Sequence, residues 1–324
     1  MKKLSIIAII LASVAIAGEA FIFATHRDRS EEVHQQAIRA NYRIYAPSIP
    51  DSLNLCGERV PLNIYYVREG LDRELVSNMY YQSNTLFNIK RAVRYFPTIE
   101  RILKEERVPE DMKYLCVIES GLQCVTSPAG AQGWWQFMKA TGQKYGLEVN
   151  DDVDMRNHLE QSTRAACRYL KDLRQQFGSW TAAAAAYNCG ENGLARRFTN
   201  QKQNSYYDLY LNRETSRYVY RILAIKLIMQ HPQDYGYYVR RCDTYPEVPF
   251  TEVELSGQNV DIVQFAIDNG TSYKMLRTLN PWIATDTFKN KSGKTYKVQI
   301  PTKKGTEYRT ITKGKHDTTV IESI

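Results

Sequence analysis

Apolar residues recur at three- and four-residue spacing through almost all of residues 63–230. This is the spacing of one face of an α-helix, and it favours packed helices over a sheet. Pro109, which precedes two acidic residues, is typical of a helix start, and Gly178 and Gly190 predict helix ends. The segments with this pattern are 76–90, 96–106, 112–121, 131–145, 159–177, 181–187 and 217–230. The sequence therefore predicts a mainly α-helical domain over residues 59–235.

The pattern changes after Pro232. Two short β-type runs enclose two helix-like stretches, in the order β-α-α-β. The four segments are 252–255, 260–269, 273–279 and 296–300. We therefore expect a second, compact module at residues 246–301. Residues 302–324 are rich in lysine and threonine and poor in apolar residues, so they are predicted to form a flexible basic tail.

Residues 1–25 have features of both a cleaved export signal and a membrane anchor. Two lysines precede an apolar run that ends in an A-x-A cleavage pattern at residues 15–17 and resumes at 21–24. A bilayer span takes about 20 largely apolar residues, which the whole stretch approaches. Both interpretations place the remaining chain in the periplasm or cell envelope, and a retained anchor would attach it to the inner or outer membrane. Residues 26–58 are polar and predict a tether.

The formal net charge of +8 indicates an anionic partner, such as nucleic acid, a membrane surface or a cell-wall polymer. Export and the lack of a basic-aromatic recognition motif in the sequence argue against nucleic acid. Six cysteines in an exported chain allow disulfides, although Cys116 and Cys167 also fit buried thiols in helices. The sequence has no C-x-x-C pair and no His/Cys cluster at zinc spacing, so we expect no metal and no cofactor.

One acidic residue continues an apolar helix face. That face carries Met112, Leu115, Cys116 and Glu119 at positions i, i+3, i+4 and i+7. Glu119 either pairs with a buried cation for structural reasons, or it lies partly desolvated at the edge of a cleft, where its pKa rises. A carboxyl group with a raised pKa can protonate a leaving sugar oxygen. Its surroundings in the sequence decide between the two interpretations.

Four blocks of sequence surround Glu119 in one order and with compatible spacing. They are Glu-Ser-Gly at 119–121, SPAGAQGWWQFM at 127–138, WTAAAAAYNCG at 180–190 and ETSRYV at 214–219. Together they resemble the catalytic domain of lytic transglycosylases related to goose-type lysozyme. Residues 95–115 are similar to the membrane-bound murein transglycosylase D subgroup. The resemblance covers roughly residues 60–230.

The resemblance implies a lysozyme-like, all-helical fold that cleaves the MurNAc–GlcNAc β-1,4 bond of peptidoglycan glycan strands. Glu119 would act first as acid and then as base, and the product would carry a 1,6-anhydroMurNAc end. The matched blocks contain one carboxylate suited to the reaction, which favours substrate-assisted chemistry over the usual pair. The residues expected to line the substrate cleft are Ser127, Gln136, Met138, Tyr187, Asn188 and Tyr218. Glu214 is expected to support the helix of Tyr218.

Three positions depart from the family pattern: Trp134 stands where leucine is usual, Lys139 where proline is common, and Cys189 where a small residue is typical. None of them removes a group that the reaction needs. Two other functions stay open at this point. A lysozyme-type hydrolase would share Glu119 but release a reducing MurNAc end, and a wall-binding protein without activity would not depend on Glu119.

The C-terminal module resembles a divergent LysM domain. Its strand, helix, Leu-Asn and Ile-Pro positions agree, but the opening reads Gly-Gln-Asn-Val at residues 257–260 instead of Gly-Asp-Thr-Leu. The resemblance implies binding to glycans that contain GlcNAc. The alternative is a small cap that packs against the first domain.

Overall fold

The computed structural model describes residues 31–36, 44–302, 305–308 and 317–324. The apolar N-terminal segment predicted as an export signal or anchor lies outside these ranges. Within them, no helix combines the length and apolar character that a membrane crossing requires. Residues 31–36 belong to a first helix, α1, in which Glu31 forms an ion pair with Arg240 at 2.9 Å.

The predicted mainly helical fold is confirmed. Its helices are α2 Tyr65–Tyr80, α3 Gln82–Glu105, α4 Lys113–Ser120, α5 Lys139–Lys144, α6 Leu159–Phe177, α7 Trp180–Cys189, α8 Glu191–Gln201 and α9 Arg213–Gln230. Gly178 ends α6 with a φ of +76°, a left-handed conformation that glycine adopts without strain. The Ser179 hydroxyl then accepts the Ala182 N–H and starts α7.

Several helix boundaries differ from the prediction, and two of these differences have a clear structural form. Helix α3 continues through Pro97, although the periodicity indicated two helices there. The helix predicted over residues 131–145 is limited to α5, since residues 131–137 form turns and bridges. Gly133 and Gln136 have positive φ angles of 80° and 49°, and these break the helical path.

Helix α9 lies at the centre of the domain. Most of its side chains between Val219 and Met229 are buried, and α2, α4 and α7 pack around it. Residues 182–186 of α7 are five buried alanines, which let that helix approach α6 and α9 closely because they have the smallest side chains available to a helix. This arrangement brings α4, α7 and α9 to a common site.

The C-terminal module has the predicted β-α-α-β order. Strand β3 (Phe250–Leu255) pairs antiparallel with β6 (Tyr296–Pro301), with Phe250 opposite Pro301 and Leu255 opposite Tyr296. Helices α10 (Ile262–Asp268) and α11 (Tyr273–Leu279) lie between them in the chain. A second pair joins β4 (Val260–Asp261) to β5 (Thr287–Phe288). A short hairpin of β1 (Asn54–Leu55) and β2 (Glu58–Arg59) precedes the helical domain.

The last eight residues return to the helical domain. Ile321 is 2% exposed, and its N–H donates to the Val239 carbonyl at 2.8 Å. The Ile324 N–H donates to the Met229 carbonyl at 2.9 Å. Residues 317–324 therefore do not form the loose tail that the composition of residues 302–324 predicts, because their isoleucines are apolar enough to pack.

All six cysteines lie in the described part of the chain, and none of them forms a disulfide. Cys116 and Cys167 are buried thiols in helices, as one of the two interpretations predicted.

Candidate active site

Glu119 lies in the last turn of α4. The helix ends at Gly121, whose φ of +61° turns the chain away from the helix axis. Leu115 and Cys116 on the same face are fully buried, while Glu119 keeps part of its surface exposed. The apolar stripe therefore anchors α4 in the core and brings the carboxyl group to the boundary between core and solvent.

The Tyr218 hydroxyl donates a hydrogen bond to Glu119 Oε1. Tyr218 lies on α9 and is 2% exposed, so its ring has little freedom to move. One turn further along α9, the Arg221 guanidinium donates to the Ile118 carbonyl at 3.2 Å. On the other side of Tyr218, Arg217 donates to both carboxylate oxygens of the buried Glu74 at 2.7 and 2.9 Å. Helix α9 is thus fixed on both sides of the tyrosine.

The electrostatic environment favours the protonated form of Glu119. Burial raises the pKa of its carboxyl group from the ordinary value of 4.5 to about 7. The Tyr218 hydrogen bond and the positive charge of Arg221 act in the opposite direction and lower this pKa. Repulsion by the Glu214 carboxylate adds to the rise. Near neutral pH, the site therefore contains both the acid and its conjugate base, as an acid–base catalyst requires.

Tyr187, at the end of α7, lies beside Glu119. Its hydroxyl donates to the Trp135 carbonyl at 2.7 Å, which ties α7 to the segment that follows Gly133. Burial, followed by the negative charge of Glu119, raises the pKa of Tyr187 well above its ordinary value, so the hydroxyl stays protonated. Tyr187 therefore supplies the site with an apolar ring and a fixed backbone contact.

Asn188 connects the end of α7 to the start of α9. Its Nδ2 donates to Glu214 Oε1 at 3.1 Å, and its Oδ1 accepts the Thr215 hydroxyl at 3.2 Å. Glu214 and Thr215 belong to the first turn of α9, where a carboxylate is favoured by the helix dipole. Both polar groups of the Asn188 amide are thus used within the protein.

The active-site loop, residues 127–138, is held by its own hydrogen bonds. Ser127 Oγ accepts the Ala131 N–H at 3.0 Å. Gln136 Nε2 donates to the Val125 and Gly133 carbonyls at 2.9 and 2.7 Å. Ser127 and Gln136 therefore shape the loop, and among the described residues none donates to Gln136 Oε1. Met138 closes the loop with 47% of its surface exposed.

Family comparison identifies the domain that contains these residues. A model described as "Transglycosylase SLT domain" matches residues 96–210, which include Glu119, the active-site loop and Asn188. The chain contains a transglycosylase SLT domain. A second model, "Soluble lytic transglycosylase C-terminal LysM-like domain", matches residues 251–304. The two resemblances seen in the sequence are confirmed.

Curated relatives are similar to most of this chain. The "Membrane-bound lytic murein transglycosylase D" proteins of Escherichia coli K12 and O6:H1 are both 31% identical over 249 residues, which is 75% of this chain and 53% of each relative. The chain thus spans about half the length of these relatives. A "Putative tributyltin chloride resistance protein" of Alteromonas sp. is 28% identical over 129 residues, or 39% of this chain and 62% of that protein.

Among solved structures, the 70 kDa soluble lytic transglycosylase SLT70 of Escherichia coli aligns with 62% of this chain and 42% of its own. The TM-score is 0.37 and the identity 18%.

The departures from the family pattern have clear places in the SLT domain. Trp134 is 6% exposed and packs edge-on against Tyr95, with 5.9 Å between ring centroids. Its Nε1 has no partner among the described residues. Lys139 is exposed at the start of α5, and Cys189 ends α7 beside Gly190. Trp134 therefore fills the core of the SLT domain, where the usual leucine would also be buried.

Tyr218 and Arg221 lie beyond the residues that the SLT model matches, yet both act on Glu119. Sequence reasoning placed Tyr218 at the site and missed Arg221. The available signal was the spacing, since Arg221 is three residues after Tyr218 and therefore shares its helix face.

Proposed function

We propose that this protein is a lytic transglycosylase that cleaves the MurNAc–GlcNAc β-1,4 bond of peptidoglycan without hydrolysis and leaves 1,6-anhydroMurNAc ends. The SLT domain and the names of the transglycosylase D relatives support peptidoglycan as the substrate. The observation that carries the proposal is Glu119 itself: a carboxyl group with its pKa raised to about 7, in hydrogen-bond contact with Tyr218.

In the first step, protonated Glu119 donates its proton to the glycosidic oxygen, and the bond from that oxygen to C1 of MurNAc breaks. The N-acetyl oxygen of the same MurNAc forms a bond to C1, so the substrate supplies its own nucleophile. The Glu119 carboxylate that results accepts the Tyr218 hydrogen bond and is attracted by Arg221, which together stabilise the negative charge.

In the second step, the Glu119 carboxylate removes the proton from the C6 hydroxyl of MurNAc. The C6 oxygen forms a bond to C1, the N-acetyl oxygen leaves C1, and the anhydro ring closes. Glu119 ends the cycle protonated, and no water is consumed. A pKa near neutrality suits one group that must both donate and accept a proton.

The single-carboxylate mechanism is supported by the position of Glu214. Its charge raises the pKa of Glu119, so it is near the site, but its carboxylate accepts a hydrogen bond from Asn188. In a catalytic pair the second carboxylate would face the sugar or a water molecule, whereas Glu214 Oε1 is directed to Asn188. Glu214 fits a structural role at the start of α9.

The cleft residues divide into two groups in this proposal. Met138, which is partly exposed, and Gln136, whose Oε1 accepts no bond from the described residues, contact the sugar directly. Ser127, Tyr187 and Asn188 also hold the loop and the helix ends, because each of them makes a hydrogen bond within the protein. The LysM-like module and the similarity to membrane-bound relatives support a cell-envelope location.

The deciding experiment is digestion of purified sacculi with the protein, followed by mass spectrometry of the soluble products. We expect muropeptides with the mass of 1,6-anhydroMurNAc, and none from Glu119→Gln. Products with reducing MurNAc ends would show hydrolysis and overturn the lyase assignment. Wall binding without cleavage by the wild type would overturn enzymatic activity altogether.

A further inference from the structure

The LysM-like module is docked onto one segment of the SLT domain, residues 152–154. Val153 forms an antiparallel bridge with Ile283 of the module. The Ala284 N–H donates to the Asp152 carbonyl at 2.9 Å, and the Asp154 N–H donates to the Trp282 carbonyl at 2.8 Å. The two domains therefore share a short piece of backbone hydrogen bonding.

Side chains reinforce this contact. The Asp152 carboxylate is 8% exposed and accepts the backbone N–H groups of Lys289 and Asn290 at 3.1 and 3.0 Å. Val153 is fully buried and belongs to the apolar core of the module, although it lies in the SLT part of the chain. At the edge, Glu148 accepts the Tyr296 hydroxyl at 3.1 Å. Buried charge-assisted bonds and a shared core are typical of a fixed joint rather than a flexible linkage.

The same segment continues into the support of the active-site loop. Arg156 is 5% exposed, and its guanidinium binds the Asp154 carboxylate with its shortest contact at 2.6 Å. Its Nη1 donates to the Phe137 and Gly130 carbonyls at 3.1 and 3.3 Å. One buried guanidinium thus joins the docked segment to two points of the loop.

Backbone packing makes this joint tight. A Cβ atom at Gly133 would lie 2.0 Å from the Arg156 carbonyl oxygen, so the loop lies directly against that residue. The next residue, Asn157, donates from Nδ2 to Gln132 Oε1 at 2.9 Å. The loop therefore rests on residues 156–157 through both side chains and backbone.

We infer that the LysM-like module is a structural part of the active site: by holding residues 152–154 it fixes Arg156 and, through Arg156, the active-site loop. Arg156 is a positioning residue, since its guanidinium binds the loop carbonyls. This inference rests on the proposed function for its catalytic consequence, because the loop carries Gln136 and Met138. A module that served only to bind distant glycan would need none of these buried contacts.

The test uses the full chain with Asp152→Ala, which removes the acceptor of two module N–H groups. Hydrogen–deuterium exchange should become roughly tenfold faster or more at Ala284 and Asn290, which report the joint. It should also accelerate at Gln132, Gly133 and Phe137, whose amides are bonded within or beside the loop. This readout does not depend on enzymatic activity, so it decides the inference even if the proposed function fails.

Activity provides the second readout. On a short soluble GlcNAc–MurNAc oligosaccharide, kcat of Asp152→Ala should fall about tenfold or more with a smaller change in KM, because a displaced loop misplaces reacting groups. A module that only targets the enzyme to the wall would leave this kcat unchanged. The matched control is Glu252→Gln, which breaks an exposed pair with Lys297 on the module's own strands. It should leave exchange and kcat within about twofold of the wild type.

Tyr296→Phe is the second variant if Asp152→Ala does not fold, since it removes only the hydroxyl that reaches Glu148 and its neighbour Ser292. Faster exchange at the joint with unchanged exchange in the loop would overturn the inference. Unchanged exchange at the joint in every variant that folds would overturn it as well, because the replaced side chain would then not hold the module.

Discussion

The Tyr218 hydroxyl donates to the carboxylate of Glu119, a residue 99 positions earlier in the chain. This contact favours the ionised carboxylate, whereas the apolar surroundings of α4 favour the protonated form. The two effects oppose each other and leave the pKa of Glu119 at about 7. A residue held between its two protonation states is suited to donate a proton and then take one back.

Replacement of Glu119 by glutamine should change the pH dependence of stability. Between the ordinary pKa of 4.5 and about 7, the unfolded chain ionises at this position while the folded protein stays protonated. The wild type therefore loses stability over that range, by roughly 3 kcal/mol in total. Glu119→Gln has no group that ionises at this position, so it lacks this loss. The free energy of unfolding of the variant minus that of the wild type should therefore increase between about pH 4 and about pH 8. Urea unfolding of both proteins at the two pH values measures this difference in free energy. A difference that does not change with pH would contradict the raised pKa of Glu119.

Tyr218→Phe should raise the pKa of Glu119 further, because the hydroxyl that stabilises the carboxylate is lost. The fall of kcat/KM on the alkaline side should move to higher pH, and kcat should drop about tenfold, as for the loss of one hydrogen bond to a charged group. The pH–rate profile on peptidoglycan fragments is the measurement. Tyr237→Phe is the control, since its hydroxyl binds the Asn78 and Met79 carbonyls. An unshifted alkaline limb in Tyr218→Phe would count against the tyrosine's role.

Glu214→Gln should act in the opposite direction. Without the repulsion of Glu214, the pKa of Glu119 decreases and the alkaline fall of kcat/KM moves to lower pH. The maximal kcat should stay within about tenfold of the wild type, because the Asn188 contact can be kept by the glutamine carbonyl. A loss of about a thousandfold, as expected for a catalytic carboxylate, would instead show that Glu214 is the second group of a hydrolase.

Gly133→Ala should destabilise the protein far more than Gly130→Ala. The φ angles of Gly130 and Gly133 are +85° and +80°, so an alanine at either position carries a backbone strain of about 1 kcal/mol or more. At Gly130 a Cβ meets open space, whereas at Gly133 it collides with the Arg156 carbonyl. The difference should be at least about 2 kcal/mol in the free energy of unfolding. Similar values for the two variants would show that the loop does not rest on Arg156.

Local sequence patterns predicted the mainly helical fold and several of the residues that the structure brings to the candidate site. The three- and four-residue spacing of apolar residues located the helical domain, because burial of one face is what keeps such helices in place. The pattern failed at residues 131–137, where the positive φ angles of Gly133 and Gln136 override the periodicity. Glu119 and Tyr218 were found because each stands in a recognisable block of sequence.

The joint between the domains could not be predicted in the same way. Its central contacts are backbone groups around Val153 and Ile283, and every residue except proline carries the same N–H and C=O. Asp152 looks like an ordinary surface aspartate in the sequence, since only the fold brings Lys289 and Asn290 to it. Contacts between residues so far apart in the chain produce no regular spacing in the sequence from which they could be predicted.

The distance along the chain between Asp152 and Lys289, 137 residues, also has a consequence for biosynthesis. A protein emerges from the ribosome with its N-terminus first, and contacts between distant residues form late. Glu119 and its helix are therefore complete well before residues 283–290 have been made. The segment beneath the active-site loop acquires its bridge partner Ile283 only near the end of synthesis, so the support of this loop is one of the last features of the chain to form.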